Sequence, residues 1–315
     1  MAATEARTVG EMDIYLPIAN MSVNAMVVVL LGGGVGILSG MFGVGGGFLT
    51  TPLLILYGIP PTVAAASATT QVTGASVSGV LAHWQRAGVD WQMGLVLVAG
   101  GLAGAIGGAG IFALLESAGQ MDTIIAILYV VLLGVIGSMM ARDAWAAISA
   151  KRSGVPVPPR KRRHHPVVAN LPLRWRFYAS GLYISPLAPL ALGFLVGILT
   201  VLLGVGGGFI LVPAMIYLLG MSTRVVVGTS LFQILFVTAI TTMVHSVTTH
   251  AVDIVLAGLL LIGSVIGAQL GARLASKLQP DWLRLGLSAV ILLLAIWLAL
   301  GLGWRPPEIY TVQLS

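Results

Sequence analysis

The hexapeptide Gly43-Val44-Gly45-Gly46-Gly47-Phe48 recurs as Gly204-Val205-Gly206-Gly207-Gly208-Phe209, 161 positions later. Glycine-rich runs can cradle phosphates, yet no Gly-Lys-Ser/Thr follows either copy and no ribose-binding acid accompanies it, so nucleotide binding is rejected. Both copies lie in strongly apolar sequence, where such a run breaks a helix. The break leaves the first N–H groups of the next helix without intrahelical partners. Together with the positive end of the helix dipole they form an anion-binding locus, and glycine lets a ligand approach the backbone. The expected anion contacts are Gly45, Gly46, Gly47 and Phe48, with Gly206, Gly207, Gly208 and Phe209. The competing explanation is close helix packing, to which Gly32–Gly34, Gly100–Gly104 and Gly107–Gly110 are assigned.

Polar side chains follow each copy. Ser67, Thr69, Thr70 and Gln71 come after the first, and Thr229, Ser230 and Gln233 after the second. Gln71 and Gln233 are each about nine residues into an apolar span, roughly 13 Å of helix, close to half the thickness of the hydrocarbon core. An amide at that depth needs partners, supplied by another helix or by a polar substrate. Ser67, Thr70, Gln71, Thr229, Ser230 and Gln233 are therefore substrate-contact candidates, although Ser and Thr also bond their own helix backbone. His83 and His245 close the second span of each half, and Asp90 and Asp253 open the third. The histidines could relay a proton; the alternative places all four at helix ends as caps. No cluster has metal-ligand spacing, no Ser/His/Asp arrangement suits a nucleophile, and no cofactor is expected. The absence of cysteine excludes disulfides and thiolate chemistry.

The elements that must position these residues are membrane helices. The 315 residues are 57% hydrophobic and 8% charged, with a mean hydropathy of +1.00, whereas soluble domains carry about a quarter charged residues. No charged residue other than His occurs from Ile14 to Gln85 or from Phe177 to Thr223. The ten-residue alternation of a membrane β-barrel is absent, and the acidic N-terminal stretch with its long apolar run is unlike a signal peptide. The net charge of +6 is not a nucleic-acid footprint, because nine of the sixteen Lys and Arg fall between Arg142 and Arg176, in one loop. An all-α polytopic membrane protein follows.

The halves form an internal repeat. Gly36 to Ser39 matches Gly197 to Thr200 and Pro52 matches Pro213 at an offset of 161; Ser67, Gln71 and His83 match Thr229, Gln233 and His245 at 162; Asp90 and Gly104 match Asp253 and Gly267 at 163. Each half has one overlong apolar segment and three ordinary spans: 21–58, 62–82, 91–115 and 122–141, then 186–219, 225–248, 253–274 and 282–302. A continuous helix over 21–58 would be about 57 Å long, nearly twice the ~30 Å core, so it must break at the glycines. Pro52 and Pro213 are expected in the first turns beyond the break. If the segment turns back as a hairpin, the halves are inverted and both termini lie outside the cell. Fourteen of the sixteen Lys and Arg are then cytoplasmic, which the positive-inside rule favours. A parallel arrangement places twelve there. The boundaries expected are an extracytoplasmic segment 1–20, repeat 1 over 21–141, a basic cytoplasmic linker 142–184, repeat 2 over 185–304 and a tail 305–315. The linker could grip anionic lipid but reads foremost as a solvated segment that sets orientation. Trp175, Phe177, Tyr178 and Tyr183 are expected at the membrane interface.

Inverted repeats with broken helices are a design of secondary transporters, with substrate bound where the breaks meet. The duplicated "GVGGGFLTTP" and "GVGGGFILVP", followed by "ASATTQ" and "GTSLFQ", resemble the TauE/SafE family of sulfite exporters over residues 24–302. The resemblance implies a permease of the cell (inner) membrane that exports sulfite, sulfonates such as sulfoacetate, or related sulfur-containing anions. The expected partners are that small anion and membrane lipid, with a homodimer also admissible and no nucleic acid. The alternatives are an anion channel, or a membrane-embedded enzyme or non-transporting subunit.

Overall fold

The computed structural model describes residues 13–42, 45–84, 88–152, 172–275 and 280–303. Gly43, Val44 and the basic run 160–165 lie outside the described residues, as do the outer parts of the predicted termini. A strand hairpin, β1 (Asp13–Leu16) and β2 (Met21–Asn24), leads into α1 (Ala25–Phe42) and α2 (Gly47–Leu56). Three longer helices follow: α3 (Pro61–Trp84), α4 (Trp91–Ser117) and α5 (Met121–Arg152). The order then repeats with a hairpin, β3 (Trp175–Phe177) and β4 (Leu182–Ile184), then α6 (Leu187–Leu203) and α7 (Gly208–Tyr217). It ends with α8 (Thr223–Thr248), α9 (Ile254–Ala275) and α10 (Pro280–Gly303). The chain is an all-α multi-pass membrane protein. Among the described residues α4, α5, α8, α9 and α10 contain stretches long and apolar enough to cross a membrane.

The overlong segments break at the glycines, as their length requires. Gly45 and Gly206 both take left-handed backbone, with φ of 78° and 70°, a conformation that costs an L residue about 1–2 kcal/mol. The chain then turns back. Asn24 N–H donates to the Tyr57 hydroxyl at 3.3 Å, which ties the end of α2 to the start of α1. At ten residues, α2 and α7 are about 15 Å long, half of the ~30 Å core, so neither is long enough to span it alone. Pro52 and Pro213 are each the sixth residue of their helix, one turn deeper than expected. There they remove the N–H that would reach the carbonyl four residues back, that of Phe48 in one helix and Phe209 in the other.

The strand hairpins were not expected. The residues from Met21 were expected to begin the first apolar segment, but they form β2 and close a turn at Asn20, whose φ is 53°. At the equivalent place the second hairpin has Gly181, with φ of 68°. The second hairpin presents Trp175, Tyr178 and Tyr183 outward and buries Phe177. The span expected over 122–141 also runs on as α5 to Arg152.

Each hairpin marks one end of the molecule. Leu16 and Val23 of the first pack with Leu54 of α2, Val63 of α3 and Leu256 of α9. Phe177 and Ile184 of the second pack with Met215 of α7, Val225 of α8 and Met93 of α4. Equivalent helices run in opposite senses between these ends: Thr73 of α3 meets Thr238 of α8, while Thr69, one turn earlier, meets Thr242, one turn later. The halves are interlocked through glycine. A Cβ on Gly32, Gly36 or Gly40 of α1 would lie within 2.6 Å of a backbone oxygen of α9. Gly100 and Gly104 of α4 meet α6 in the same way, at 2.1 and 2.0 Å. This is the small-residue packing expected for Gly32, Gly100 and Gly104, whereas Gly34 and Gly110 face nothing within 4 Å.

Candidate functional site

The two breaks meet at the centre. Phe48 and Phe209, each the second residue of its short helix, stack with ring centroids 4.2 Å apart and planes 1° from parallel. A Cβ on Gly47 would lie 2.8 Å from the carbonyl oxygens of both Gly204 and Val205. Val72 of α3 and Ile234 of α8 both close on Gly206. Each is the residue after a glutamine, so Gln71 and Gln233 are carried to the level of the breaks. Residues 45–52 and 200–209 are buried throughout. Neither α2 nor α7 has a side-chain cap or an acidic residue in its first turn. The carbonyl of Gly46 accepts from Leu49 and Thr50 N–H, and that of Gly207 from Ile210 and Leu211 N–H. This leaves the N–H groups of Gly47 and Phe48, and of Gly208 and Phe209, as the leading donors of two helix N-termini.

The two glutamines are not equivalent. Thr50 Oγ1 lies 2.9 Å from Gln71 Oε1 and 3.1 Å from the Gly46 carbonyl oxygen, so Gln71 is tied to the first turn of α2. The position matching Thr50 at the offset of 161 is Leu211. Gln233 accordingly has no partner among the described residues on either amide atom, although it is fully buried, with Nε2 beside the gap left by Gly101. Such an amide costs about 1–3 kcal/mol.

Ser67 and Thr229 serve a different bond. Thr229 Oγ1 accepts the N–H of Asp90 at 2.9 Å, and Ser67 Oγ accepts the N–H of Asp253 at 3.1 Å. Each hydroxyl thus meets the start of the other half's second long helix. Asp90 caps α4 through Met93 N–H at 3.1 Å and accepts Ser180 N–H of the second hairpin at 2.9 Å. Asp253 caps α9 through Leu256 N–H at 3.0 Å and accepts Ile18 N–H of the first hairpin at 3.3 Å. The capping role expected of the aspartates is what their contacts show. Ser230 Oγ bonds its own helix at Val227. Thr70 bonds Ala66 in α3 and reaches Thr242 across the helix pair at 3.5 Å.

His245 is fully buried, with Nε2 donating to the Val201 carbonyl at 2.9 Å and its ring edge-on to Phe112 at 5.0 Å. The side chain of His83 lies outside the described residues. Sequence reasoning also missed Tyr129, fully buried in α5, whose hydroxyl donates to the Leu203 carbonyl where α6 ends. A lone tyrosine in an apolar span carries no signal for that. A third omission is a row of hydroxyls between α3 and α8: Thr73 donates to Thr238 at 2.8 Å, and Thr242 to Thr69 at 3.4 Å. In each of these pairs the two residues sit at unmatched positions of the two halves, so comparing the repeats does not predict them.

The model of the sulfite exporter TauE/SafE family matches residues 28–298. The probable membrane transporter protein YjnA of Bacillus subtilis (strain 168) is 29% identical over 269 residues, covering 84% of this chain and 96% of its own. A probable membrane transporter protein of Xylella fastidiosa (strain 9a5c) is 27% identical over 288 residues, covering 90% and 97%. YunE of Bacillus subtilis, also named a probable membrane transporter protein, is 26% identical over 277 residues, covering 85% and 95%. No solved structure is a significant match to the chain.

Proposed function

The chain belongs to the sulfite exporter TauE/SafE family of membrane transporters, and on that premise we propose that it exports small sulfur-containing anions such as sulfite or short organosulfonates. The observation that carries the reading is the meeting of two uncapped helix N-termini at the Phe48–Phe209 stack. Each terminus carries roughly half a positive charge. Two of them brought together in a dry interior repel, and an anion between them relieves both. No carboxylate of the flanking sequence can take that place, since 14–85 and 177–223 contain none.

The binding residues are the backbone of Gly45–Phe48 and Gly206–Phe209, with Gln71 and Gln233 as side-chain partners. Selectivity rests on dipoles and hydrogen bonds rather than on a fixed cation, which suits a singly charged, weakly hydrated oxyanion better than phosphate. The antiparallel run of α3 against α8 supports inverted repeats and alternating access around one central site. It also supports both termini lying on one side, and the distribution of Lys and Arg supports that side being outside the cell, which a reporter fused after Ser315 tests. The decisive experiment is flux of labelled sulfite, sulfoacetate and sulfate into proteoliposomes carrying the purified protein. Uptake of the first two is expected; no uptake of any would remove the reading.

A further inference from the structure

The two halves differ where the anion would have to leave the centre. Toward the end marked by the first hairpin, α3 and α8 face each other with hydroxyls. Thr73 and Thr238 are bonded at 2.8 Å, and Thr69, Thr70 and Thr242 lie one turn farther out. Thr238 reaches the break itself, its Cγ2 being 3.3 Å from a Cβ placed on Gly206. Thr70, Thr73 and Thr242 are half-buried rather than sealed. Toward the second hairpin the matched positions are filled differently. Thr69, Thr70 and Thr73 become Leu231, Phe232 and Leu235, while Thr238 and Thr242 become Ser76 and Val80. Phe232 is buried there and takes Trp91 edge-on at 4.9 Å, and Trp91 takes Trp84 at 5.0 Å. Phe236 adds a fourth ring at 4.9 Å from Phe232. The first end has nothing like it: the residues matching Trp84, Trp91, Phe232 and Phe236 are Ser246, Ile254, Thr70 and Gly74.

We propose that the threonine row is the anion's route between the central junction and the first-hairpin end, and that the Phe232–Trp91–Trp84 cluster is the plug that closes the opposite end. At rest Thr69, Thr73 and Thr238 have carbonyls of their own helices within 2.6–2.8 Å, at Ala66, Thr69 and Ile234; along a path each hydroxyl can turn from that carbonyl to a passing anion, without a charge that would trap it. The buried Phe232 ring blocks water and small anions alike, and the outer rings of Trp91, Trp84 and Phe236 brace it edge-on. The row is thus the polar way out, and passage to the second-hairpin end requires Phe232 to leave its place over Gly94, where a Cβ would sit 2.7 Å from its ring. The proposal rests on the transport reading but not on sulfur as the cargo.

The natural chain has no cysteine, so single cysteines can be labelled without background. Thr73→Cys and Thr242→Cys are treated from each side of the membrane with an impermeant anionic methanethiosulfonate reagent. Tyr15→Cys and Tyr178→Cys, exposed on the two hairpins, mark the sides. Thr73→Cys and Thr242→Cys should react from the Tyr15 side only. Ser76→Cys and Val80→Cys should react from the Tyr178 side about tenfold or more slowly, the lag reporting the opening that must precede labelling. Replacing Phe232 by its counterpart, Phe232→Thr, should remove that lag. Each variant is first checked for an unchanged elution profile and thermal transition. Cysteines in the row that react from neither side, or equally from both, would overturn the route. A lag that survives Phe232→Thr in a folded variant would overturn the plug. Labelling as expected without flux of sulfite or sulfonate would leave this inference standing and sink the substrate assignment instead.

Discussion

Replacing Gly47 by alanine puts a methyl group where the two breaks touch. Its carbon would lie 2.8 Å from the Gly204 and Val205 carbonyl oxygens and 2.7 Å from Val72 Cγ2, whereas carbon and carbonyl oxygen approach favourably only to about 3.3 Å. The Val72 methyl can rotate away, but the carbonyls cannot. Gly204 is left-handed at φ 70° and is itself pressed on the Ala65 carbonyl, 2.2 Å from where its own Cβ would be. Overpacking of this kind costs about 1–3 kcal/mol, against a helix-propensity gain of at most about 1 kcal/mol. Taken alone, the overpacking lowers the folded-to-unfolded ratio about 5- to 140-fold. Thermal unfolding in detergent, followed by tryptophan fluorescence, should show a lower midpoint, and flux should fall with it as the junction is wedged apart. Gly134→Ala is the control: nothing lies within 4 Å of its Cβ, so the same change there should be neutral or stabilising by up to about 1 kcal/mol. A Gly47→Ala protein as stable and as active as the parent would refute the close meeting of the breaks.

Gln233→Leu should raise the unfolding midpoint while lowering transport, because it removes a buried amide that costs about 1–3 kcal/mol unpaired; a fall in stability would show that the amide is satisfied in the folded protein. Gln71→Leu should destabilise instead, since it strips Thr50 of a partner, and the contrast is read in the same melting assay. Asp90→Asn leaves one oxygen where two N–H groups are bound, and a loss of about 1–3 kcal/mol is expected; an unchanged midpoint would mean that the hairpin contact contributes nothing. For Thr73→Val with Thr238→Val, a double-mutant cycle should give a coupling of about 0.5–1.5 kcal/mol, and a coupling of zero would remove the bond between them.

What the sequence made legible was whatever depends on length, breakage and repetition. A 38-residue apolar segment, 21–58, cannot cross the membrane once, and the glycines had to absorb the excess, as they do at Gly45 and Gly206. The strand hairpins were illegible because three- and four-residue strands beside a membrane helix show no usable alternation. Only the match of Asn20 with Gly181 hinted at a shared turn. The functions of Ser67 and Thr229 were hidden for another reason. Their partners, Asp253 and Asp90, lie 186 and 139 residues away in sequence and in the opposite half, and no local pattern encodes such a bond. The difference between Gln71 and Gln233 was readable in principle: aligning "GFLTTP" with "GFILVP" sets Thr50 against Leu211.

The glycine contacts between α1 and α9, and between α4 and α6, have a mechanical consequence. In both pairs the backbones touch, so neither pair can part without losing its whole interface, yet in both the two members come from different halves of the gene. A movement that keeps these two interfaces intact would carry α1 together with α9, and α4 together with α6, rather than the duplicated halves as blocks. The two halves of the polypeptide are braided, and neither is expected to fold as an independent bundle. When expressed together as separate chains, they should find each other.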